Sequence, residues 1–341
     1  MSTEMPRMFF REAIARAIAE AMRADPRVLV LGQDVGAFGG AYREFDGLYA
    51  EFGAERVRDT PVAEAATMGV GVGAAAAGWR PVVSITYMDF VMLALDPLVN
   101  YGAKLRYKTA GRLTAPVVVK TTAGARGQGV AHSQCLESWL MSVPGLKVVA
   151  PSNPADAYGL MRSALRANGP VVFVDHKRLY PIPGDGPAPD TEVPIGKGRI
   201  ARHGADLTLT THSFMVHTSL QAAVILAEEG ISVEVIDLRS LAPLDVDLIQ
   251  ASVSRTGALL TVEEGQVTCG VGAEVAARLR ERGAAFAGAR MGAIAAPVSS
   301  NPVLEAVAIP NAERVARAVR LLLRTRDSGH VDAGGGELSA L

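Results

Sequence analysis

Between residues 10 and 180, short β-branched runs alternate with amphipathic helical patterns, and no other feature narrows the possible folds of this chain as much. The runs are RVLVLG (27–32), PVVSIT (81–86), APVVVKTT (115–122), LKVVAP (146–151) and PVVFVD (170–175). Strands apolar on both faces belong in a sheet covered on both sides, and the helices between them are the crossovers that a parallel sheet requires. ALDPLVNYGAKLRY (94–107) and NPADAYGLMRSALRANG (153–169) read as two such helices, the second opened by Asn153 and Pro154 and closed by Gly169. Upstream, Phe10, Ile14, Ile18 and Met22 fall on one face of a first helix. The acids Glu12, Glu20 and Asp25 distinguish it from a transit peptide or a secretory signal.

The composition changes at YPIPGDGPAPDTEVP (180–194), which has too many prolines for either regular structure, and residues 181–194 read as an extended linker. Alternation resumes with DLTLTTH (206–212), SLQAAVILAEEG (219–230), ISVEVID (231–237), DVDLIQASVSRTG (245–257) and ALLTVEEG (258–265). The expected organisation is α/β with two parallel-sheet domains, 8–180 and 195–325, and a tail at 326–341 that lacks an apolar face and reads as disordered. A chain of 341 residues is long enough for two ordinary cores. A formal net charge of -1 supplies no field for nucleic acid or anionic lipid. Cys135 and Cys269 lie far apart without metal-ligand spacing, so buried reduced thiols and a cytoplasmic setting are expected. The most lipid-like stretch, 65–79, is too short and too rich in Gly and Ala to span a bilayer.

Several glycine signals compete for a functional role. GVGVG (69–73) lies inside a helical Ala/Gly run rather than after a strand, so it is not a dinucleotide fingerprint; Gly69 and Gly73 fit close packing at a subunit contact. GDG (184–186) resembles the start of a thiamine-diphosphate/magnesium motif, but no downstream asparagine pair follows and its surroundings are linker. GGAYREF (39–45) and TTAGARGQGVAHSQ (121–134) follow strands on the ligand-binding side of an open α/β sheet. In the second loop His132 can move protons near neutral pH, or simply precede a helix capped by Ser133. His176 reads as a pocket wall or a strand terminus. Glu64 opens the Gly/Ala helix; it is either a first-turn acid favoured by the helix dipole or a carboxylate in an apolar seam awaiting a specific partner. Phe90, taken alone, is a core aromatic at a helix start.

Three stretches carry a family resemblance. LGQDVGAFGGAYREFDGLYAEFGAERVRDTPVAEAA, GVAHSQCLESWLMSVPGLKVVAPSNPADAYGL and VEVIDLRSLAPLD together resemble the β subunit of the thiamine-diphosphate-dependent, decarboxylating component of 2-oxo acid dehydrogenase complexes, in order from about residue 8 to 324. The members act on pyruvate, branched-chain 2-oxo acids or acetoin. The resemblance implies a transketolase-like pyrimidine-binding domain followed by a transketolase C-terminal domain, assembled with an α subunit as an α2β2 heterotetramer. Thiamine diphosphate then lies between α and β, with the diphosphate and Mg2+ held mainly by α, which explains the incomplete GDG. On the matching positions, Glu64 hydrogen-bonds the cofactor's aminopyrimidine and favours its imino tautomer, Phe90 stacks on that ring, and His132 serves the substrate and acyl transfer to the lipoyl group of a dihydrolipoyl acyltransferase. A structural monovalent cation at backbone carbonyls of 165–168 is a further implication.

The chain also departs from the family pattern. Ala131 stands where glutamine usually precedes the histidine, Gln33 where glutamate is common, and GAIAAPVSS (292–300) replaces a proline-rich stretch that contributes to subunit contacts. DHKRLY and YMDF lean toward the acetoin-type bacterial members. The altered 292–300 stretch motivates one rival reading, thiamine chemistry that releases or ligates the intermediate without a lipoyl partner. A second rival is a non-catalytic scaffold subunit, against which the joint presence of Glu64, Phe90 and His132 speaks.

Overall fold

A computed structural model describes residues 7–188 and 190–328. The described residues form two compact units: those from 7 to 124 with those from 139 to 195, and 125–138 with 196–328.

The first unit begins with β1 (Arg7–Phe9) and α1 (Phe10–Ala24), whose start is fixed by the Glu12 carboxylate accepting from the Phe9 amide at 2.8 Å. As expected, Phe10, Ile14, Ile18 and Met22 form its buried face, each contributing about 1.5–3 kcal/mol. The chain continues through β2 (Val28–Gly32), α2 (Leu48–Phe52), β3 (Val57–Asp59), α3 (Glu64–Ala76) and β4 (Arg80–Ile85). A single helix is expected over 94–107; the structure divides it into α4 (Val91–Leu95), a π-helical stretch (Asp96–Ala103) and α5 (Leu105–Lys108). Pro97 has no amide hydrogen for the preceding turn, so the regular ladder is interrupted there.

After β5 (Val118–Ala123) the chain leaves for the second unit and returns through α6 (Glu137–Met141) into β6 (Lys147–Val149), α7 (Pro154–Arg166), β7 (Val171–His176) and β8 (Pro183–Asp185). The Asn153 side chain caps α7 by accepting from the Asp156 amide at 2.9 Å, and the helix ends at Ala167, two residues ahead of Gly169. The parallel strands run in the order β6-β7-β5-β4-β2-β3, with Val30 opposite Val82, Val82 opposite Val118 and Val119 opposite Val172. Residues 183–185 of the proline-rich segment pair antiparallel with β1.

Helix α3 has two unlike faces. Gly71 lies against β4, where an added Cβ would fall 2.3 Å from Val83 Cγ2, whereas Cβ atoms at Gly69 and Gly73 would meet nothing within 4 Å. Val70 of α3 is exposed, as are Val62 ahead of the helix and Met92, Leu93 and Tyr101 in the helical elements that pack against it.

The second unit comprises β9 (Arg199–Arg202), β10 (Leu207–Thr211), α8 (Met215–Ala227), β11 (Val233–Asp237), β12 (Ser240–Ala242), α9 (Val246–Thr256), β13 (Ala258–Gln266), α10 (Val271–Glu281), β14 (Ala287–Ala293), α11 (Pro302–Ala308) and α12 (Ala312–Asp327). Its sheet order is β14-β13-β10-β11-β9, parallel except for β9. Leu209, Val235 and Leu260 of the sheet share a core with Ala222 and Leu226 of α8 and Val315, Val319 and Leu322 of α12. From 329 on, the tail expected at 326–341 lies outside the described residues. Among the described residues no helix is long and apolar enough to cross a membrane.

Candidate functional site

In a parallel sheet all carboxyl ends lie on one edge, and the loops leaving that edge are where side chains converge. Glu64 follows β3 and is the first residue of α3; Phe90 follows β4 and closes a 3-10 turn; the loop 33–47 leaves β2, which lies between β3 and β4. Both Glu64 and Phe90 are partly exposed. The loop is pinned at its start by Asp59, which accepts from the Gly36 amide at 2.7 Å and packs so close to Gly36 that a side chain there would collide with it.

Phe90 stands at the end of an aromatic series. Its ring meets Tyr87 edge-on at 6.2 Å, Tyr87 meets Tyr42 of the loop at 6.4 Å, and Tyr42 stacks on Tyr180 at 4.8 Å. Beneath this series lies a charged cluster. Lys120, wholly buried in β5, donates to Glu44 Oε1 at 2.6 Å, to the Tyr180 hydroxyl at 2.8 Å and to Thr122 Oγ1 at 3.0 Å, and its ammonium lies 3.2 Å from Asp175 Oδ2. Burial works against the ammonium, but Asp175 and Glu44 outweigh it and hold Lys120 above its ordinary range. Burial pushes Asp175 up; Lys120 draws it back and Glu44 adds to the rise. Burial, Asp175 and Glu44 together keep the Tyr180 phenol well above its usual range. The other Glu44 oxygen accepts from the Tyr42 amide at 2.9 Å, so the ion cluster also holds the loop that carries Tyr42.

His132 lies elsewhere in the architecture. Segment 125–138, although it emerges from β5, packs with the second unit. His132 is partly exposed, and its amide donates to the Gly129 carbonyl at 3.2 Å. In the same unit, Glu137 is buried beside Glu263 and Glu264. Burial, then these two carboxylates, push Glu137 up to about 8, against the pull of its own amide. Glu263 accepts from the Val271 and Gly272 amides at 2.9 and 3.0 Å at the N-terminus of α10; burial still raises it. His176 is a strand terminus: it is buried, its Nδ1 accepts from the Arg178 amide at 3.1 Å, and it fills the space beside Gly124.

Glu64 and Phe90 thus share one edge of the first unit, and His132 belongs to the second. Lys120, Glu44, Asp175 and Tyr180 were not predicted, although a lysine inside the run VVVKTT was a legible signal, because a lysine there must find a countercharge. A carboxylate acceptor and an aromatic face suit a flat heterocycle bearing a ring N–H. Among the described residues no group of three or more His, Cys, Asp or Glu could hold a metal ion. At 165–168 the carbonyls of Arg166 and Ala167 accept from the Arg80 guanidinium at 3.4 Å, a positive charge at the place the resemblance gives to a monovalent cation.

Two family models match the chain in succession, and the first runs through segment 125–138 although that segment packs with the second unit. Residues 7–183 match the pyrimidine binding domain of transketolase and residues 196–315 its C-terminal domain. The chain is 45% identical to the pyruvate dehydrogenase E1 component subunit beta-1, mitochondrial, of Arabidopsis thaliana, covering 91% of this chain and 88% of that one. It is 41% identical to the 2-oxoisovalerate dehydrogenase subunit beta of Bacillus subtilis (92% and 98% covered) and 39% identical to the acetoin:2,6-dichlorophenolindophenol oxidoreductase subunit beta of Cupriavidus necator (92% and 96%). Among solved structures, a split gene transketolase described as an inactive beta4 tetramer superposes with a TM-score of 0.75 at 26% identity, covering 92% of this chain and 98% of that one. The chain belongs to the family of β subunits of the thiamine-diphosphate-dependent E1 component of 2-oxo acid and acetoin dehydrogenase complexes.

Proposed function

We propose that this chain supplies the pyrimidine-facing half of a thiamine diphosphate site whose diphosphate and Mg2+ are held by an α subunit, in a cytoplasmic α2β2 heterotetramer. The pair decarboxylates a 2-oxo acid, or cleaves acetoin, and passes the acyl group to lipoamide on a dihydrolipoyl acyltransferase. The observation that carries this reading is the position of Glu64: it opens α3 on the carboxyl edge of a parallel sheet, bordered by the exposed apolar residues Val62, Ala65, Ala66 and Val70. A companion chain covering that apolar face would remove water from around the carboxylate and strengthen any hydrogen bond it makes.

When bound, the cofactor supplies the nucleophilic carbon and the electron sink for carbon–carbon cleavage. Glu64 accepts from a ring N–H of the pyrimidine and holds its proton arrangement, and Phe90 offers a face for stacking, backed by Tyr87 and Tyr42. The His132 imidazole moves a proton during acyl transfer to the dithiolane. A structural monovalent cation at 165–168 would share its carbonyls with Arg80, which engages those of Arg166 and Ala167. Against expectation neither cysteine is buried, Cys135 being partly exposed and Cys269 exposed, and thiols so placed suit a reducing compartment.

The test is co-expression with the α subunit. Glu64→Ala should leave the complex intact by size exclusion while lowering lipoamide-linked turnover about 100-fold or more on pyruvate, 3-methyl-2-oxobutanoate and acetoin alike. Near-normal turnover refutes the assignment. Calorimetric titration of the β chain without α should show weak thiamine diphosphate binding, and tight magnesium-dependent binding would overturn the divided site.

A further inference from the structure

The segment that carries His132 is fastened to the second unit at three points. Ala125 has no exposed surface and belongs to the same core cluster as Leu209, Val262 and Met291. Its amide donates to Glu264 Oε1 at 2.7 Å. Two residues on, the Gly127 amide donates to Glu305 Oε2 at 2.6 Å. At the far end the Cys135 carbonyl lies against Gly265, so close that a Cβ there would stand 3.0 Å from it. Glu264 of β13 and Glu305 of α11 therefore hold the start of the loop, and Gly265 of β13 packs against it at Cys135. Glu264 and Glu305 are both buried, and hydrogen bonds to a carboxylate are stronger than those to a neutral acceptor. From Gly127 the chain passes to Gly129, at φ +74° and +75° respectively, and the Gly129 carbonyl accepts from the His132 amide at 3.2 Å. A short run of constraints thus leads from two carboxylates to the imidazole-bearing residue.

We propose that Glu264 and Glu305 are positioning residues that fix the main chain of 125–129 and thereby aim His132 for acyl transfer. The proposal rests on the role given to His132 above. Neither glutamate was singled out from the sequence, because each lies more than a hundred residues from the loop it holds.

The experiment uses the α/β complex and three readouts: hydrogen exchange of the peptide spanning 125–132, lipoyl-linked turnover, and turnover with 2,6-dichlorophenolindophenol, a two-electron dye that bypasses the lipoyl group. Glu305→Ala should speed exchange in that peptide about tenfold, as loss of one hydrogen bond to a charged acceptor implies. It should also lower lipoyl-linked kcat about tenfold while dye-linked turnover stays within about twofold, and Glu305→Gln, which retains an acceptor, should recover most of both losses. If the alanine variant fails to fold, Glu305→Asp keeps the charge but withdraws it by one methylene and should give intermediate values. Unchanged exchange in Glu305→Ala overturns the anchoring. Faster exchange with unchanged lipoyl-linked turnover, while His132→Ala abolishes that turnover, overturns the positioning role. If His132→Ala itself leaves lipoyl-linked turnover intact, the fault lies in the role assigned to His132, and this proposal falls with it.

Discussion

Replacing Glu137 by glutamine should make this protein more stable, by an amount that grows with pH. In the folded chain Glu137 is 4% exposed and titrates at about 8 instead of 4.5. Burial is the largest cause, its own amide pulls the other way, and Glu263 and Glu264 add to the rise. Between those two values the folded state binds one more proton than the unfolded chain, so stability falls as pH rises, with a slope approaching 1.4 kcal/mol per pH unit. The contribution is present in full below the unfolded value near 4.5 and has been lost once pH passes the folded value near 8, a total of about 5 kcal/mol. Between pH 6 and pH 8 the loss is about 2 kcal/mol. Glutamine is neutral throughout and has nearly the same shape, so Glu137→Gln removes this slope and little else. Urea unfolding of the α/β complex, at fixed protomer concentration and followed by circular dichroism, should show the stability gap between variant and wild type widening by about 2 kcal/mol from pH 6 to pH 8. A gap that is the same at both pH values would show that Glu137 is ionised in the folded protein and would refute the account of the three-glutamate cluster.

Two further outcomes test the first unit. Lys120→Met leaves Glu44 and Asp175 buried without a countercharge and should cost about 3–5 kcal/mol in chemical unfolding, part of which Asp175→Asn in the same chain should restore; an undiminished stability would mean that the cluster is neutral. The α3 glycines should separate by face. Gly71→Ala drives a methyl onto Val83 and should lower Tm, with Val83→Ala restoring it, whereas Gly69→Ala and Gly73→Ala should stabilise the β chain by about 0.5–1 kcal/mol each yet weaken assembly with the α subunit, read by size exclusion.

Much of the fold was legible because the central strands are buried on both faces. Val28–Gly32, Val118–Ala123 and Val171–His176 have no exposed residue, and a run of that kind has few alternatives to a covered parallel strand. The pieces that were not legible are short or lie at edges. Val57–Asp59 buries only Val57, and Arg7–Phe9 and Pro183–Asp185 bury nothing fully, so neither shows a hydrophobic period. The excursion of 125–138 into the second unit was hidden for another reason. Its anchors are single carboxylates meeting backbone amides, and a backbone amide has no letter in the sequence.

Glu64 admits two readings in the sequence for a related physical cause. A first-turn acid is common, and in this chain taken alone its side chain is only partly buried. What sets it apart is the run of exposed apolar residues beside it in the chain, Val62, Ala65, Ala66 and Val70. Soluble chains rarely leave large apolar patches uncovered, and exposed apolar residues beside the ligand-binding edge of a parallel sheet fit the proposed site shared with a second polypeptide. The buried Lys120 cluster fits the same division of labour. By tying Glu44 and Tyr42 to β5, it keeps the loop beside Phe90 ordered before any partner arrives, so that association need not supply the cost of organising that wall.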